Sequence, residues 1–191
     1  MCWDVKGKQM EMEDQKKVNQ YISKFQLIPH HSQPGNLMGD IFIGPEENVN
    51  ENLFVGGKRS VTTAIYYMIL EKAVTQFNHL KSVKYWQYCD GSPQHVALID
   101  MEKNILEEVI LGDPLIHADL AQRLNKKLFQ IIPVLPIQWI GSRLVNQRSF
   151  SLITCTVTPG FDMRDFSVLT LAESKTRFPD LANNIEKFFN G

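Results

Sequence analysis

Val83-Lys84-Tyr85-Trp86-Gln87-Tyr88-Cys89 opens the stretch that decides the fold. Asp90-Gly91-Ser92-Pro93 follows, then His95–Ile99, Asp100–Asn104, Ile105–Leu111 and Gly112-Asp113-Pro114. Runs rich in aromatic and β-branched residues alternate with clusters of turn formers, which is how short strands joined by tight connections read. The same texture extends outward, with further runs at Asp40–Gly44, Val61–Leu70, Lys127–Val134, Ile137–Ile140 and Phe150–Val157. Many short strands at this spacing predict an antiparallel sandwich or barrel.

Two helices are expected to bracket the strands. From about Glu11 to Gln26, Val18, Tyr21, Ile22 and Phe25 fall at i, i+3, i+4 and i+7, the apolar stripe of an amphipathic helix. Near Asp180–Phe189, Leu181, Ile185, Phe188 and Phe189 make a second stripe behind Pro179, a residue suited to a first helical turn. The domain organisation expected is a helical extension over 1–26, a β-domain over 27–178 and a C-terminal helix over 179–191, packed as one structural unit.

Composition narrows the function classes. Twenty Lys and Arg against 21 Asp and Glu leave a net charge of −1, which gives no electrostatic case for a nucleic-acid or membrane-surface partner. The opening Met1-Cys2-Trp3-Asp4-Val5-Lys6 places charges where a signal peptide needs its apolar stretch. The longest uncharged run, Leu128–Ser142, is too short for a spanning helix and holds Pro133 and Pro136. Cys2, Cys89 and Cys155 form no CxxC pair and suit a reducing compartment. A soluble cytoplasmic protein is expected.

Several motifs fail on inspection. Gly56-Gly57-Lys58-Arg59-Ser60 looks like a phosphate-binding loop, but Asn52 stands where its first glycine belongs and Arg59 where Ser or Thr should follow the lysine. A plain turn is the reading here. His30, His31, His79, His95 and His117 show no metal-ligand spacing, with His95 mid-strand and His117 in a loop. Cys89 and Cys155 fall in strands, where an inert thiol is the usual outcome.

One ordered set of motifs is specific. Thr63-Ala64-Ile65-Tyr66-Tyr67, Phe77-Asn78-His79-Leu80-Lys81-Ser82, Tyr85-Trp86-Gln87-Tyr88 and Gly91-Ser92-Pro93 come first. Leu111-Gly112-Asp113, Pro133 with Trp139, Ser151-Leu152, Thr156-Val157-Thr158-Pro159-Gly160-Phe161-Asp162 and Asp165-Phe166 follow. From about Leu27 to Phe178 the chain resembles, as a divergent member, the small RmlC-like cupin family long catalogued as a domain of unknown function, the Cupin_5-like group. The resemblance implies an all-β double-stranded β-helix, or jelly-roll cupin barrel, with flanking helices, a homodimer, and a pocket at the barrel mouth. The wider superfamily includes sugar-nucleotide epimerases and isomerases and metal-dependent oxygenases.

The departures from the family pattern carry the functional reading. The family's Phe-His-Arg-Leu and Asp-Glu-Ile-Trp-His place a His and a Glu inside the barrel. Here the His falls on Asn78, the Arg on His79, the Asp and Glu on Val83 and Lys84, and the second His on Gln87. The early family loop keeps His30 but has no Glu. Alternation puts Lys84, Trp86 and Tyr88 on one strand face, which the family alignment turns inward. An ammonium in place of a carboxylate repels a divalent cation and leaves no general base there. No metal and no cofactor are expected.

The ligand-binding candidates are His30, Asn78, His79, Lys84, Trp86, Tyr88 and Trp139. Lys84 either meets an anionic group or snorkels out along Trp86 or Tyr88. His79 either replaces the lost histidine through a one-residue slip or faces the rim or solvent. Trp86 and Trp139 are read as both core and pocket wall. Pro159-Gly160-Phe161 is read as a structural turn, and Asp162 and Asp165 as caps. The leading function is a small-molecule-binding cupin with a degenerate, metal-free pocket for an anionic ligand, a nucleotide, sugar-nucleotide or carboxylate. The alternatives are a metal-free epimerase or isomerase using His30 or His79, and a dimeric interaction scaffold with a vestigial pocket.

Overall fold

The computed structural model describes residues 10–54 and 56–189. Cys2 and the rest of the opening segment lie outside the described residues. After helix α1 (Met12–Phe25) come β1 (Ile28–Pro29), β2 (Asn36–Ile43), β3 (Glu46–Asn48), β4 (Lys58–Ser60), β5 (Thr63–Ile69), β6 (Val74–Leu80), β7 (Val83–Gly91), β8 (Gln94–Asp100) and β9 (Ile105–Leu111). Then follow α2 (Pro114–Arg123), β10 (Lys127–Phe129), β11 (Ile131–Val134), β12 (Gln138–Leu144), β13 (Ser151–Thr158), β14 (Phe166–Val168), α3 (Leu171–Arg177) and α4 (Ala182–Ile185). No helix among the described residues is long and apolar enough to cross a membrane.

The strands form two six-stranded sheets. The first has the order β1-β2-β5-β13-β7-β11 and the second β10-β9-β8-β12-β6-β14, with β3 and β4 as a separate hairpin. The central core lies between them: Tyr67, Trp86, Tyr88 and Ile153 of the first sheet meet Val96, Leu98, Val109 and Ile140 of the second. This is the jelly-roll arrangement. Asp90-Gly91-Ser92-Pro93 carries the chain from one sheet to the other. Gly91 sits at φ +91°, and a Cβ there would lie 2.3 Å from the Phe150 carbonyl oxygen, so only glycine makes this crossing.

Part of each outer sheet face is covered by a chain end. On the first sheet, Val18, Tyr21, Ile22 and Phe25 of α1 pack with Met68, Phe150 and Leu152. On the second, Phe178, Ile185 and Phe188 pack with Phe77, Ile99 and Trp139. Strands covered on both faces lose the inside–outside alternation that β7 keeps, with Lys84, Trp86 and Tyr88 buried between exposed Tyr85, Gln87 and Cys89.

Two expectations are corrected. Lys127–Val134 is two short strands in different sheets, because Gln130 lies between β10 and β11. His117 lies on α2 rather than in a loop: Asp113 caps the helix by accepting from the Leu115 N–H at 2.8 Å, and Pro114 fills its first turn. The expected C-terminal helix is present as a continuous run of 3-10 and α turns over 179–188, which buries Ile185 and Phe188 of its apolar stripe. Before it stands α3, closed by a capping box of Thr170 and Glu173.

Gly56-Gly57 does make a turn, with both residues at positive φ. Beyond it Arg59 is buried: its Nη2 lies 2.6 Å from Asp165 Oδ2 and its Nη1 3.2 Å from Asp162 Oδ2. Asp162 also caps the 163–165 turn by accepting from the Arg164 N–H. The pair fastens the β3–β4 hairpin to the segment leading into β14. Removing one member of a buried ion pair leaves the other charge uncompensated. Asp165→Ala should therefore cost about 3 kcal/mol or more and lower Tm by roughly 10 °C in thermal denaturation. An unchanged Tm would show that the guanidinium is held without Asp165.

At the opposite side, Glu108 of β9 receives Lys187 at 2.6 Å, Lys126 at 2.7 Å and His95 at 3.2 Å. Burial would raise this carboxyl, but hydrogen bonds from Lys126 and Lys187 outweigh it and hold it at about 2. A folded-state value below the unfolded one gives stability that is present above about 4.5 and lost as pH falls through about 2. Glu108→Gln should therefore be less stable than wild type at pH 7, with the difference in Tm closing between those two values. A constant difference down to pH 2 would exclude this account.

Candidate functional site

The site starts from an irregularity in β6. Ile140 of β12 pairs with Asn78 and Ser142 with Thr75, so three steps on β6 oppose two on β12. This is a β-bulge at Gln76-Phe77. Opposite it Gly141 lies under the Phe77 ring, where a Cβ would come within 3.1 Å. The extra residue lets Thr75 and Asn78 both face the interior, which strict alternation forbids for residues three apart.

A bulge leaves backbone groups without ladder partners, and side chains supply them. Gln33 accepts from the Gln76 N–H at 2.8 Å and donates to the Gln76 carbonyl at 3.3 Å. Asn78 Nδ2 donates to the carbonyls of Gln76 and Ile140, at 3.0 and 3.2 Å. These two acceptors require the amide NH2 on that side, so Oδ1 faces the other way. There it accepts from Lys84 Nζ at 2.5 Å. The two positions at which the chain departs from the family's His and Glu thus touch each other.

Lys84 is 4% exposed. None of the ion pairs among the described residues includes it, and burial lowers its amine to about 8, partly opposed by Cys155. Lys84 and Asn78 line a cavity of about 300 Å³ together with Trp86, Tyr67, Thr75, Cys155 and the apolar side chains of Met38, Ile65, Leu80 and Val157. His30, Ser60, Phe161 and Phe166 also border it. Tyr67 OH bridges Thr75 and Asn36 at 2.9 and 2.8 Å, and burial keeps the phenol protonated. Burial also raises the Cys155 thiol, against pulls from Lys84 and Trp86.

His30 Nδ1 accepts from the Ser32 N–H at 3.1 Å, which leaves the ring proton on Nε2. Burial, then the neighbouring His31, lowers this imidazole to about 4, so it is an uncharged donor at neutral pH. The Pro159-Gly160-Phe161 turn seats the rim: Gly160 donates to the Ser60 carbonyl at 2.8 Å and the Phe161 N–H to Thr63 Oγ1 at 2.9 Å.

Of the seven residues singled out from sequence, His30, Asn78, Lys84 and Trp86 line this cavity. The other three lie elsewhere. Tyr88 shares the inward face of β7 but sits deeper, its hydroxyl donating to the Gly91 carbonyl at 2.7 Å. His79 points away, because its neighbour Asn78 points in; its Nε2 lies 2.6 Å from the Pro136 carbonyl oxygen. Trp139 faces the C-terminal helices, with the Arg177 guanidinium 5.3 Å from its ring. Sequence reasoning missed Gln33, Thr75 and Tyr67. A glutamine beside Pro34-Gly35 gives no sign that it mends a bulge more than forty residues away.

Three of the cavity's donors are already engaged or protonated. Asn78 Oδ1 is engaged by an ammonium, His30 Nδ1 by a backbone N–H, and Cys155 is held as the thiol. Among the described residues no three His, Cys, Asp or Glu side chains group as a metal site. The arrangement can instead neutralise and hydrogen-bond a negative group between apolar walls.

A search of curated proteins finds no match to this sequence. Among solved structures, a hypothetical protein from Leishmania major is similar at 22% identity and TM-score 0.71, covering 91% of this chain and 99% of that one. A Shewanella oneidensis protein aligns at 20% identity and TM-score 0.71, over 90% and 96%. A cupin-2 domain from Rhodospirillum rubrum aligns at 10% identity and TM-score 0.51, over 86% and 89%. At these identities the likeness concerns the fold. Residues 19–169 match the model described as Cupin_5: Cupin superfamily (DUF985). With the jelly roll of β1–β14 inside that span, the chain belongs to the Cupin_5 family of the cupin superfamily.

Proposed function

We propose that this protein binds a small anionic organic molecule, a carboxylate, in the cavity between its two sheets, with Lys84 as the charge partner and Asn78 as the residue that holds the ammonium in place. The observation that carries this reading is a lysine buried beside an open cavity with no carboxylate paired to it. Among the described residues Lys84 is the one lysine or arginine in the lining. A single cation in about 300 Å³ suits one negative charge on a compact body better than a sugar-nucleotide with its two or more charges. Trp86, Met38 and Ile65 offer that body an apolar wall, and the uncharged His30 offers a donor at the mouth.

A cytoplasmic setting agrees with the free thiols of Cys89 and Cys155. A homodimer is implied by the family resemblance, and Tyr85, Ile131 and Leu135 stand exposed on and beside the outer face of β7 and β11.

Stability and binding should move in opposite directions at Lys84. Its amine falls from 10.5 to about 8 on folding, a cost of the order of 3 kcal/mol below pH 8. Between those values the unfolded chain holds more protons, so stability rises with pH across that window. Lys84→Met removes the charge and leaves the Asn78 Oδ1 without its donor, a penalty of about 1 kcal/mol. The variant should therefore be more stable than wild type by about 1–2 kcal/mol, while losing ligand. Acetate, propanoate and benzoate would serve as probes. A bound carboxylate at about 100 times its Kd should raise the wild-type Tm by roughly 5–10 °C, and the variant's not at all. Destabilisation by Lys84→Met, with no carboxylate shifting the wild type, would sink the proposal.

Affinity should also follow the proton on Lys84. Binding that needs the ammonium is constant below pH 8 and weakens about tenfold per pH unit above it. Calorimetric titration from pH 6 to 10 would show this break. A flat profile to pH 10 would remove Lys84 from the binding event.

A further inference from the structure

Lys84 differs from the ion-paired lysines in a way that charge recognition alone does not use. Lys17, Lys103, Lys126, Lys127, Lys175 and Lys187 each meet a carboxylate. Lys84 meets the neutral Asn78 Oδ1. A buried amine held by one neutral acceptor loses its proton readily, and the free base carries a lone pair. Asn78 fixes one N–H, because its own amide is locked by the Gln76 and Ile140 carbonyls. The cavity leaves room beside the nitrogen for a second molecule.

We propose that Lys84 forms a reversible imine with the carbonyl group of a small oxo acid bound in this cavity, the acid's carboxylate being the anion recognised above. The inference rests on that anion reading and adds a covalent step to it. The free amine of Lys84 attacks the carbonyl carbon, and the π pair moves to oxygen. A proton passes from nitrogen to that oxygen, giving a carbinolamine. The C–O bond then breaks as the hydroxyl leaves with a solvent proton as water, and the nitrogen lone pair closes the C=N bond. Amine, carbonyl compound and one proton give iminium and water, with no oxidant or reductant. The iminium keeps the positive charge beside the carboxylate.

The surroundings favour this chemistry. At an amine value of about 8 in the ligand-free cavity, roughly a tenth of Lys84 is free base at pH 7 and can meet an incoming carbonyl, against well under a thousandth of an exposed lysine. The other titratable groups lining the cavity are Cys155 of β13, Tyr67 of β5, Asp40 of β2, and His30 and His31 before β2, with His79 on the far side of β6. Burial keeps Cys155 and Tyr67 protonated and His30 uncharged near pH 8. Apolar walls limit the water that would hydrolyse the product.

The test treats the full chain with pyruvate or glyoxylate and sodium cyanoborohydride at pH 7, followed by peptide mapping. Cyanoborohydride reduces the imine to a stable secondary amine. Lys84 should be labelled at least tenfold faster than any exposed lysine, and propanoate should slow it by competition. Lys84→Met should lose this label, while Lys84→Arg should keep propanoate binding without it. Propanoate stabilisation with labelling confined to surface lysines would overturn the covalent step and leave the anion site standing. Selective labelling by neutral propanal, with no response to propanoate and none to pyruvate, would overturn the oxo-acid assignment together with the anion reading. No stabilisation and no selective label would remove both.

Discussion

The extra residue in β6 is the constraint on which the interior depends. Without the bulge at Gln76-Phe77, Thr75 and Asn78 would point to opposite sides of the second sheet. With it, both reach the cavity while Phe77 stays outside against Phe188 and Phe189. The bulge can exist only if its freed backbone groups are satisfied. Gln33, from the loop after β1, pairs with Gln76 on both its N–H and carbonyl, and Asn36 donates to the Val74 carbonyl at 3.0 Å. The 30–36 loop is therefore both the patch over an irregular strand and the segment that brings His30 to the mouth.

The helices at the two ends of the chain act on the same interior from outside. By covering part of the outer face of each sheet they make β5, β8, β12 and β13 parts of two cores at once. The space between the sheets is thereby screened, and desolvation there is strong enough to raise Tyr67 and Cys155 and lower Lys84. The character of Lys84 is thus a property of the whole sandwich, not of β7 alone.

What could be read from the sequence depended on whether a segment has one partner or two. The face of β7 was legible because its outer side meets solvent and alternates, and the N-terminal helix showed its stripe because it has a single buried side. β6 was not read from its own texture: Val74-Thr-Gln-Phe-Asn-His-Leu80 is buried on both faces and holds polar residues whose partners are remote. α2 lacks an apolar stripe, since Leu115 and Ile116 are exposed and Ala121 alone is buried, leaving only the Asp113-Pro114 start as a signal. Family correspondence placed Asn78 and Lys84 in one interior, where the structure puts them. It could not separate Trp86 from Trp139, because two indoles in neighbouring motifs carry no mark of which sheet face each will occupy.

Arg59, at the hairpin near the cavity rim, is as deeply buried as Lys84, and it meets Asp162, Asp165 and the Phe54 ring, 5.2 Å from its guanidinium. This fold therefore supplies carboxylates to a buried cation where the cation's work is to hold two segments together. At Lys84 it supplies an amide oxygen and empty space. An amide orients an ammonium without neutralising it, so the charge is fixed in position and left available. A purely structural lysine gains nothing from that combination: an apolar residue would fill the wall at lower cost. A lysine that must meet a negative ligand, and surrender its proton to react with one, gains both position and availability from it.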